Sequence, residues 1–451
     1  MVSIYIGGMI LMQRKIYNQL LNWKNNTRRN PLIVLGVRQC GKTYIIEKSC
    51  KNEFNKFYNL NLFQRTDIVD LYKRNINSEE KYKLLKSMIN FGFDEEGSIL
   101  FIDEIQESEE LISNLKFFCE QHNNVRIICV GSLLGVKLKR FSKSFPVGGK
   151  VWMLNMYPMD FEEFLIAFDQ KMLLDYIKDC FLNNKSMHVL HDRAMYYYKN
   201  YLISGGMPES VMNMLEIDND YIKYDKNIIS TIIFSYFDDM KKHIESPTET
   251  LKIRRIYESL PSQLANSSHK FQYSKIIKGA KSRDYELLLD WLNSSNMVLK
   301  VNSVSNPEKP LKGFENTDVF KIFLSDIGVL NNLLNISIND ILNDKLGIYK
   351  GVLARNYVAN QLVANEVNLF YWRSKGEAIV DFLIDTVNDG IIPIEVKAED
   401  NTQSKSLRVY NELYHPKYMI RISSKDFGYN PDTKIKSVPL YAAFLIHTLT
   451  K

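Results

Sequence analysis

The sequence predicts an α/β protein: a parallel sheet comes first, helices follow, and a second, mixed αβββαβ region ends the chain. Three stretches carry that expectation. "LIVLGVRQCGKT" (residues 32–43) is a short apolar run, a glycine-bracketed loop and the start of a helix. "SILFIDE" (98–104) is a second apolar run that ends in two carboxylates. Residues 351–423 read helix, strand, strand, strand, helix, strand. Strand–helix alternation belongs to parallel sheets, because a parallel neighbour can be reached only through a crossover.

Composition sets the frame. The chain has 451 residues, 45% of them hydrophobic and 24% charged, which suits a soluble globular protein of several domains. A net charge of +6 is mild for that length, so it permits a nucleic-acid partner without demanding one. Five cysteines (Cys40, Cys50, Cys119, Cys129 and Cys180) form no C-x-x-C pair and mostly lie in apolar stretches. That pattern suits a reducing cytoplasm and gives neither a disulfide framework nor a zinc site. No run approaches the roughly 20 apolar residues of a membrane span, so no membrane partner is expected. In "MVSIYIGGMILMQRK" the charges follow the apolar run and no small-residue cleavage site appears. Residues 1–11 therefore read as a short leader, with Met12 as a candidate start.

The first loop carries chemistry. Gly36 to Thr43 spell G-x-x-x-x-G-K-[ST] after a strand and before a helix. The loop residues Gly36, Val37, Arg38, Gln39, Cys40 and Gly41, with Tyr44 in the helix start, offer backbone N–H groups to phosphates, and the glycines remove Cβ clashes. Lys42 supplies a point charge between the β- and γ-phosphates of ATP, and the Thr43 hydroxyl can ligate Mg²⁺. The second strand ends in Asp103-Glu104. Alone, such a pair mostly marks a strand end meeting solvent. Beside a phosphate loop, Asp103 would hold the Mg²⁺ and Glu104 would polarise the attacking water. The next strand, in "VRIICVGSLL" (125–134), ends in Gly131-Ser132. Ser132 is either a sensor of the γ-phosphate or a small residue in a tight turn. "VKLKRFSKSFPVGGK" follows with Lys137, Lys139, Arg140, Lys143 and Lys150. It reads as a solvated basic loop, with an arginine finger (Arg140) or DNA-phosphate contacts as the alternatives.

In order, "LGVRQCGKT", "LFIDEIQ", "GSLLG" and "YPMDFEEFL" (157–165) resemble a prokaryotic AAA-type (AAA+/STAND-like) P-loop ATPase family. Its members carry a C-terminal domain of unknown function similar to PD-(D/E)XK nucleases. "YLISGGMPESV" (201–211), "SYFDDMKK" (235–242) and "FKIFLSDIGVL" (320–330) extend the resemblance from about residue 12 to the end. It implies a P-loop ATPase core over 12–165 and a helical lid over 166–250. It also implies an adenine contact, because Gly206-Met207-Pro208 resembles the G-x-P element of signalling ATPases; a proline after a glycine turn is a stiff apolar wall at a helix start.

From Leu251 the expected order is helix ("LKIRRIYESLPSQLA"), short helix ("YSKIIKG"), helix ("SRDYELLLDWLNSS") and two strands around "MVLKVNSVS". Three helices and a hairpin make a winged-helix-like module over 251–333. Lys275, Lys278, Lys281 and Arg283 precede its third helix as a DNA-binding face would require, whereas Asp284, Glu286 and Asp290 would repel phosphate. DNA binding and pure domain packing both fit.

"VDFLIDTVNDGIIPIEVKA" (380–398) reads as a hairpin turning at Asn388-Asp389-Gly390. Glu395 and Lys397 share a face, and Asp381 falls opposite Glu395 within one residue of register. The αβββαβ order resembles the restriction-endonuclease-like PD-(D/E)XK core over 334–451, with Asp381 and Glu395-x-Lys397 in its signature positions. In that reading Asp381 and Glu395 hold Mg²⁺ or Mn²⁺, and Lys397 orients the water. A structural ion cluster at a strand end is the alternative. Pro393 lacks a donor, so its strand is expected to bulge or to lie near an edge there. Arg355 stands where the family places a glutamate on the first helix, and Ile379 where it places a second acid. Both departures weaken metal binding, and a nuclease-shaped domain that does not cleave is the favoured reading. Together these features predict a cytoplasmic, Mg²⁺-dependent ATPase that rearranges with ATP and acts with nucleic acid (DNA), with a protein partner or oligomer open. An ATP-regulated DNA endonuclease and a non-enzymatic, nucleotide-switched adaptor are the alternatives.

Overall fold

Leu32–Leu35, Ser98–Asp103 and Ile127–Val130 have almost no side chain that water would accept, so they fold as interior strands. They belong to the first of two units, Gln13–Tyr157 with Ser294–Asn296. The computed structural model describes residues 12–28, 30–131, 150–218, 220–244, 246–266, 270–376, 378–397 and 404–450. In this unit β1 (Leu32–Leu35), β2 (Lys56–Asn61), β3 (Ser98–Asp103), β4 (Ile127–Val130) and β5 (Trp152–Asn155) form one sheet in the order β2-β3-β4-β1-β5. Every neighbouring pair is parallel. The edge strands β2 and β5 carry exposed residues, while β3 and β4 are buried throughout. The connections run through α2 (Lys42–Glu53) between β1 and β2, α3 (Thr66–Lys73) and α4 (Ser78–Ile89) between β2 and β3, and α5 (Glu109–Gln121) between β3 and β4, with α1 (Ile16–Asn25) ahead of β1. Side chains start two of these helices. Asn77 accepts the Glu80 N–H at 2.8 Å and Ser108 accepts that of Leu111 at 3.2 Å.

The second unit spans Pro158–Asn293 and Met297–Lys451. Its first part is helical as expected, over Phe161–Ala167, Lys171–Asn183, Leu190–Ser204, Pro208–Glu216, Asn227–His243 and Pro247–Leu264. A capping box of Asp160 and Glu163 opens the first of them. None of the helices among the described residues is long and apolar enough to cross a membrane.

The remainder is one eight-stranded mixed sheet. Its strands are β6 (Val298–Val304), β7 (Glu315–Leu324), β8 (Phe370–Arg373), β9 (Ile379–Thr386), β10 (Gly390–Val396), β11 (Met419–Ser423), β12 (Gly428–Asn430) and β13 (Ile435–Pro439), in the order β12-β13-β11-β10-β9-β8-β6-β7. The expected helix, three strands, helix and strand over 351–423 are present: the helices are Tyr349–Ala364 and Lys405–Tyr414, and the strands are β8, β9, β10 and β11.

The expected winged-helix-like module is corrected at two points. "YSKIIKG" is not a helix; only a 3₁₀ turn forms at Tyr273–Lys275. Ser274, Lys275, Ile277, Lys278 and Gly279 are exposed, so no apolar face holds a longer helix in place. Nor is the β6–β7 hairpin a wing. β6 pairs in parallel with β8 through Asn302↔Phe370, Ser303↔Tyr371 and Val304↔Trp372, so regions 251–333 and 334–451 share a sheet. The last five residues of β7 are buried, which a solvent-facing wing would not allow.

Pro393 does not bulge. β9 and β10 keep register through Pro393↔Leu383, whereas β11 pairs with β10 only from Ile394 onward. The strand is a local edge at the proline, so no donor is missed.

Two motifs meet at one carboxylate. Asp326 of "LSDIG" accepts the Gly206 N–H at 2.7 Å and caps the helix Ile327–Leu333 through the Val329 N–H at 3.1 Å. Gly205 has φ 66°, and a Cβ there would lie 2.2 Å from Asp326 Oδ1, so glycine is required. Burial pushes the Asp326 carboxyl up to about 6, against the pull of its backbone N–H partners. The raised value means that the folded protein holds this proton more tightly than the unfolded chain does. Its contribution to stability therefore declines as pH rises from 3.8 to about 6. Asp326→Ala removes a cap and strands a buried N–H, and is expected to cost about 2–4 kcal/mol in urea denaturation. Asp326→Asn is expected to cost less and to flatten the decline between pH 4 and 6 relative to wild type.

Candidate functional site

The glycine loop is fixed by its own backbone. A Cβ on Gly36 would lie 2.3 Å from the Met156 carbonyl, so the chain passes β5 only with glycine there. Gln39 and Gly41 take φ 64° and 93°, the left-handed turn that leads into α2. Arg14 grips the same loop, donating to the Cys40 carbonyl at 2.8 Å and to that of Tyr157 at 2.6 Å. Nothing in the sequence singled out Arg14. Inside the loop Lys42 donates to the carbonyls of Gly36 (2.8 Å) and Val37 (2.9 Å). Among the described residues, two loop carbonyls hold this buried ammonium. Thr43 and Tyr44 are exposed in the first turn of α2, where free N–H groups and the helix dipole favour an anion.

Asp103 ends β3 and is buried. Burial, reinforced by the charge of Glu104, pushes its carboxyl up to about 6; the Glu104 N–H, 3.0 Å from Oδ1, and the charge of Lys42 oppose the shift. Glu104 takes φ 54°, which turns its side chain out of the strand direction. Gln106 then donates from Nε2 to Glu104 Oε2. A Cβ on Gly131, just after β4, would lie 2.1 Å from Gln106 Oε1. The glycine of "VGS" therefore makes room for Gln106, a residue that sequence reasoning missed. Its signal was a polar side chain next to Ile105 in the turn Ile105–Glu107, where Ile105 and Gln106 are buried and Glu107 is exposed.

Ser132, and with it Lys137, Lys139, Arg140 and Lys143, lie outside the described residues. Lys150 pairs with Glu120 at 3.3 Å. Pro208 belongs to the other unit, where it opens the helix Pro208–Glu216 behind the buried Met207. The loop and the strand end together offer a charge for polyphosphate, an exposed hydroxyl and a carboxylate. Hard oxygen donors of this kind fit Mg²⁺.

A second cluster lies in the mixed sheet. The register Ile394↔Phe382 puts Asp381 level with Glu395 one step on. Asp381 Oδ2 accepts the Val396 N–H at 3.0 Å, and Glu395 Oε1 lies 3.3 Å from Lys397 Nζ. Burial raises the Glu395 carboxyl. The hairpin thus brings all three expected residues together. It also brings a fourth that was not expected: Lys321 of β7, whose Nζ lies 3.5 Å from Asp381 Oδ1 and over the ring of Tyr371, 4.6 Å from its centroid. Only 3% of Lys321 is exposed, and burial lowers its ammonium to about 8, with Arg355 pushing the same way and Asp381 opposing. A lone lysine inside the apolar run 319–324 was the available signal. With an ammonium against Asp381, the donor set does not fit a divalent metal. No group of three metal-ligating side chains occurs among the described residues.

Residues 28–165 match the AAA domain family. Residues 195–340 match one domain of unknown function (DUF8612) and residues 350–442 another (DUF4143). No curated protein matches the chain. Among solved structures, a Walker-type ATPase of Pyrococcus abyssi is 15% identical, with 72% of this chain and 96% of that one covered, at a TM-score of 0.43. A signal-transduction ATPase with a tetratricopeptide-repeat sensor from Pyrococcus horikoshii is 14% identical, covering 81% and 50%, at 0.29. The Orc1 protein of Aeropyrum pernix, solved in complex with DNA, is 12% identical, covering 73% and 92%, at 0.27. The family match and the parallel sheet with its phosphate loop agree on an AAA-type P-loop ATPase domain in the first unit.

Gly131→Ala would push Gln106 off Glu104 while leaving the phosphate loop intact. Nucleotide binding is expected to persist and any phosphate release to slow by about 10- to 100-fold, measured by fluorescent-nucleotide titration beside a phosphate-release assay.

Proposed function

We propose that the chain binds and hydrolyses Mg²⁺-ATP at Gly36–Tyr44, that the cycle rearranges its parts, and that it does so on or with DNA. The observation that carries this reading is the placement of Lys42, Thr43, Asp103 and Glu104 at the carboxyl edge of one parallel sheet. Lys42 is already desolvated and held by two carbonyls, so a triphosphate would take over an ammonium that needs no further burial. Thr43 and Asp103 would hold the ion, which when bound neutralises charge on the phosphates. Glu104 would take the proton of the attacking water, held at its angle by Gln106. Ser132 as a γ-phosphate sensor and Pro208 as an adenine wall belong to the same proposal. A cytoplasmic setting fits five free cysteines.

DNA as the partner rests on the exposed run Lys275, Lys278, Lys281 and Arg283, where, among the described residues, only Asp284 pairs with one of the four, at 3.7 Å from Arg283. The nuclease-like region would hold DNA without cutting it, because Lys321 lies beside Asp381 and Arg355 is nearby. An ATP-regulated endonuclease is the second reading, favoured by Asp381, Glu395 and Lys397 standing together.

Lys42→Ala is expected to abolish ATP binding in equilibrium titration, since the charge on the phosphates is lost. Glu104→Gln is expected to bind ATP normally and to turn over about 10²–10³-fold more slowly. Normal turnover by the Glu104→Gln protein would remove Glu104 from the mechanism. To separate the readings of the second cluster, Mn²⁺ is titrated calorimetrically into the full chain without nucleotide. No tight site is expected; tight binding lost in Asp381→Ala, accompanied by plasmid nicking, would establish the endonuclease instead.

A further inference from the structure

The second unit contains a cleft of about 380 Å³, including the open space at its mouth, lined by Gln263, Lys270, Phe271, Lys321, Arg355 and apolar neighbours. Its charge is unbalanced. Among the described residues, three cations line it and no carboxylate does. The nearest acid, Asp381, pairs with Lys321 at 3.5 Å, the long limit of hydrogen-bond reach, so that buried ammonium, with three N–H donors, is short of acceptors among the described residues. Arg355 is half-buried on the helix Tyr349–Ala364, and neither a hydrogen bond nor an ion pair holds its guanidinium among the described residues. Lys270 is exposed. Buried charge without a full set of partners is costly, and a protein tolerates it where a ligand of opposite charge completes it.

The walls narrow the ligand class. Gln263 is already engaged, since its Oε1 accepts the Gln272 N–H at 2.8 Å and its Nε2 donates to Ser259 at 3.0 Å. The charged donors that remain are the ammonium and guanidinium groups, beside the second amide N–H of Gln263. A guanidinium fork beside an ammonium suits a tetrahedral oxyanion with several acceptor oxygens better than a single carbonyl. Phe271, stacked on Phe320 with centroids 5.5 Å apart, gives one apolar wall. We propose that this cleft is a binding site for a phosphate group, held by Arg355 and Lys321 with Lys270 at the entrance, and that it is separate from the ATP loop. The phosphate is either a free or nucleotide phosphate, or the terminal phosphate of a nucleic-acid strand; the chemistry is the same.

The test removes the competing loop first, by using the full-length Lys42→Ala protein. Inorganic phosphate, a 5′-phosphorylated single-stranded oligonucleotide and its 5′-hydroxyl twin are each titrated calorimetrically. Binding of inorganic phosphate, weakened at least tenfold by Arg355→Gln, is the expected result. Preference for the 5′-phosphorylated strand over its twin, lost in the same variant, assigns the nucleic-acid source; equal binding of the two strands with phosphate still bound assigns the small-molecule source. Lys321→Met serves as the second variant, and Arg355→Lys, which keeps the charge and loses the fork, is expected to fall between wild type and Arg355→Gln. Absence of binding by any phosphate probe, or binding unchanged in Arg355→Gln, overturns the proposal. Because Lys42 is absent throughout, neither result depends on ATP turnover.

Discussion

The five strands described in the first unit all run the same way, and that constraint decides what the unit can do. Parallel strands deliver all their carboxyl ends to one edge, so the loop after β1 and the acids at the end of β3 share that edge. The sequence details serve that edge. Gly36 lets the loop slip past Met156, Arg14 pins its carbonyl at Cys40, and Lys42 fills it with charge. Gly131 leaves the space in which Gln106 steers Glu104. Each residue answers a steric or electrostatic demand set by the sheet.

The mixed sheet imposes a different constraint. Because β6 joins β8 in parallel, the strands before residue 334 cannot be separated from those after it. The same arrangement brings the side chain of Lys321 from the outermost strand across Tyr371 to Asp381. A hairpin that by itself looks like a metal site thereby acquires an internal cation. An ammonium 3.5 Å from a carboxylate competes directly with a divalent ion for that oxygen.

Local signals were legible in the sequence and long-range pairings were not. The phosphate loop, the Asp103–Glu104 strand end and the turn at Asn388-Asp389-Gly390 are each set by a few adjacent residues, and each stands where the residues placed it. The winged-helix-like module failed because hairpin periodicity is blind to which strand lies on the far side of β6. "YSKIIKG" failed as a helix because five of its seven residues are exposed. Lys321 and Arg14 were hard to place because their partners lie on other elements, Asp381 60 residues away and Cys40 26 residues away, and the room for Gln106 is left by Gly131, 25 residues further on. Asp326 was similar, since the acid of "LSDIG" explains the glycines of "SGGMPE" only once the chain has folded.

The central claim is that the output of this chain is ATP turnover and not DNA scission. One assay reads both: the purified full-length protein is incubated with supercoiled plasmid, Mg²⁺ and ATP, and phosphate release and plasmid topology are followed in the same tube. The account predicts Mg²⁺-dependent phosphate release with the plasmid still supercoiled. Nicked or linear plasmid, or intact nucleotide after prolonged incubation, would contradict it.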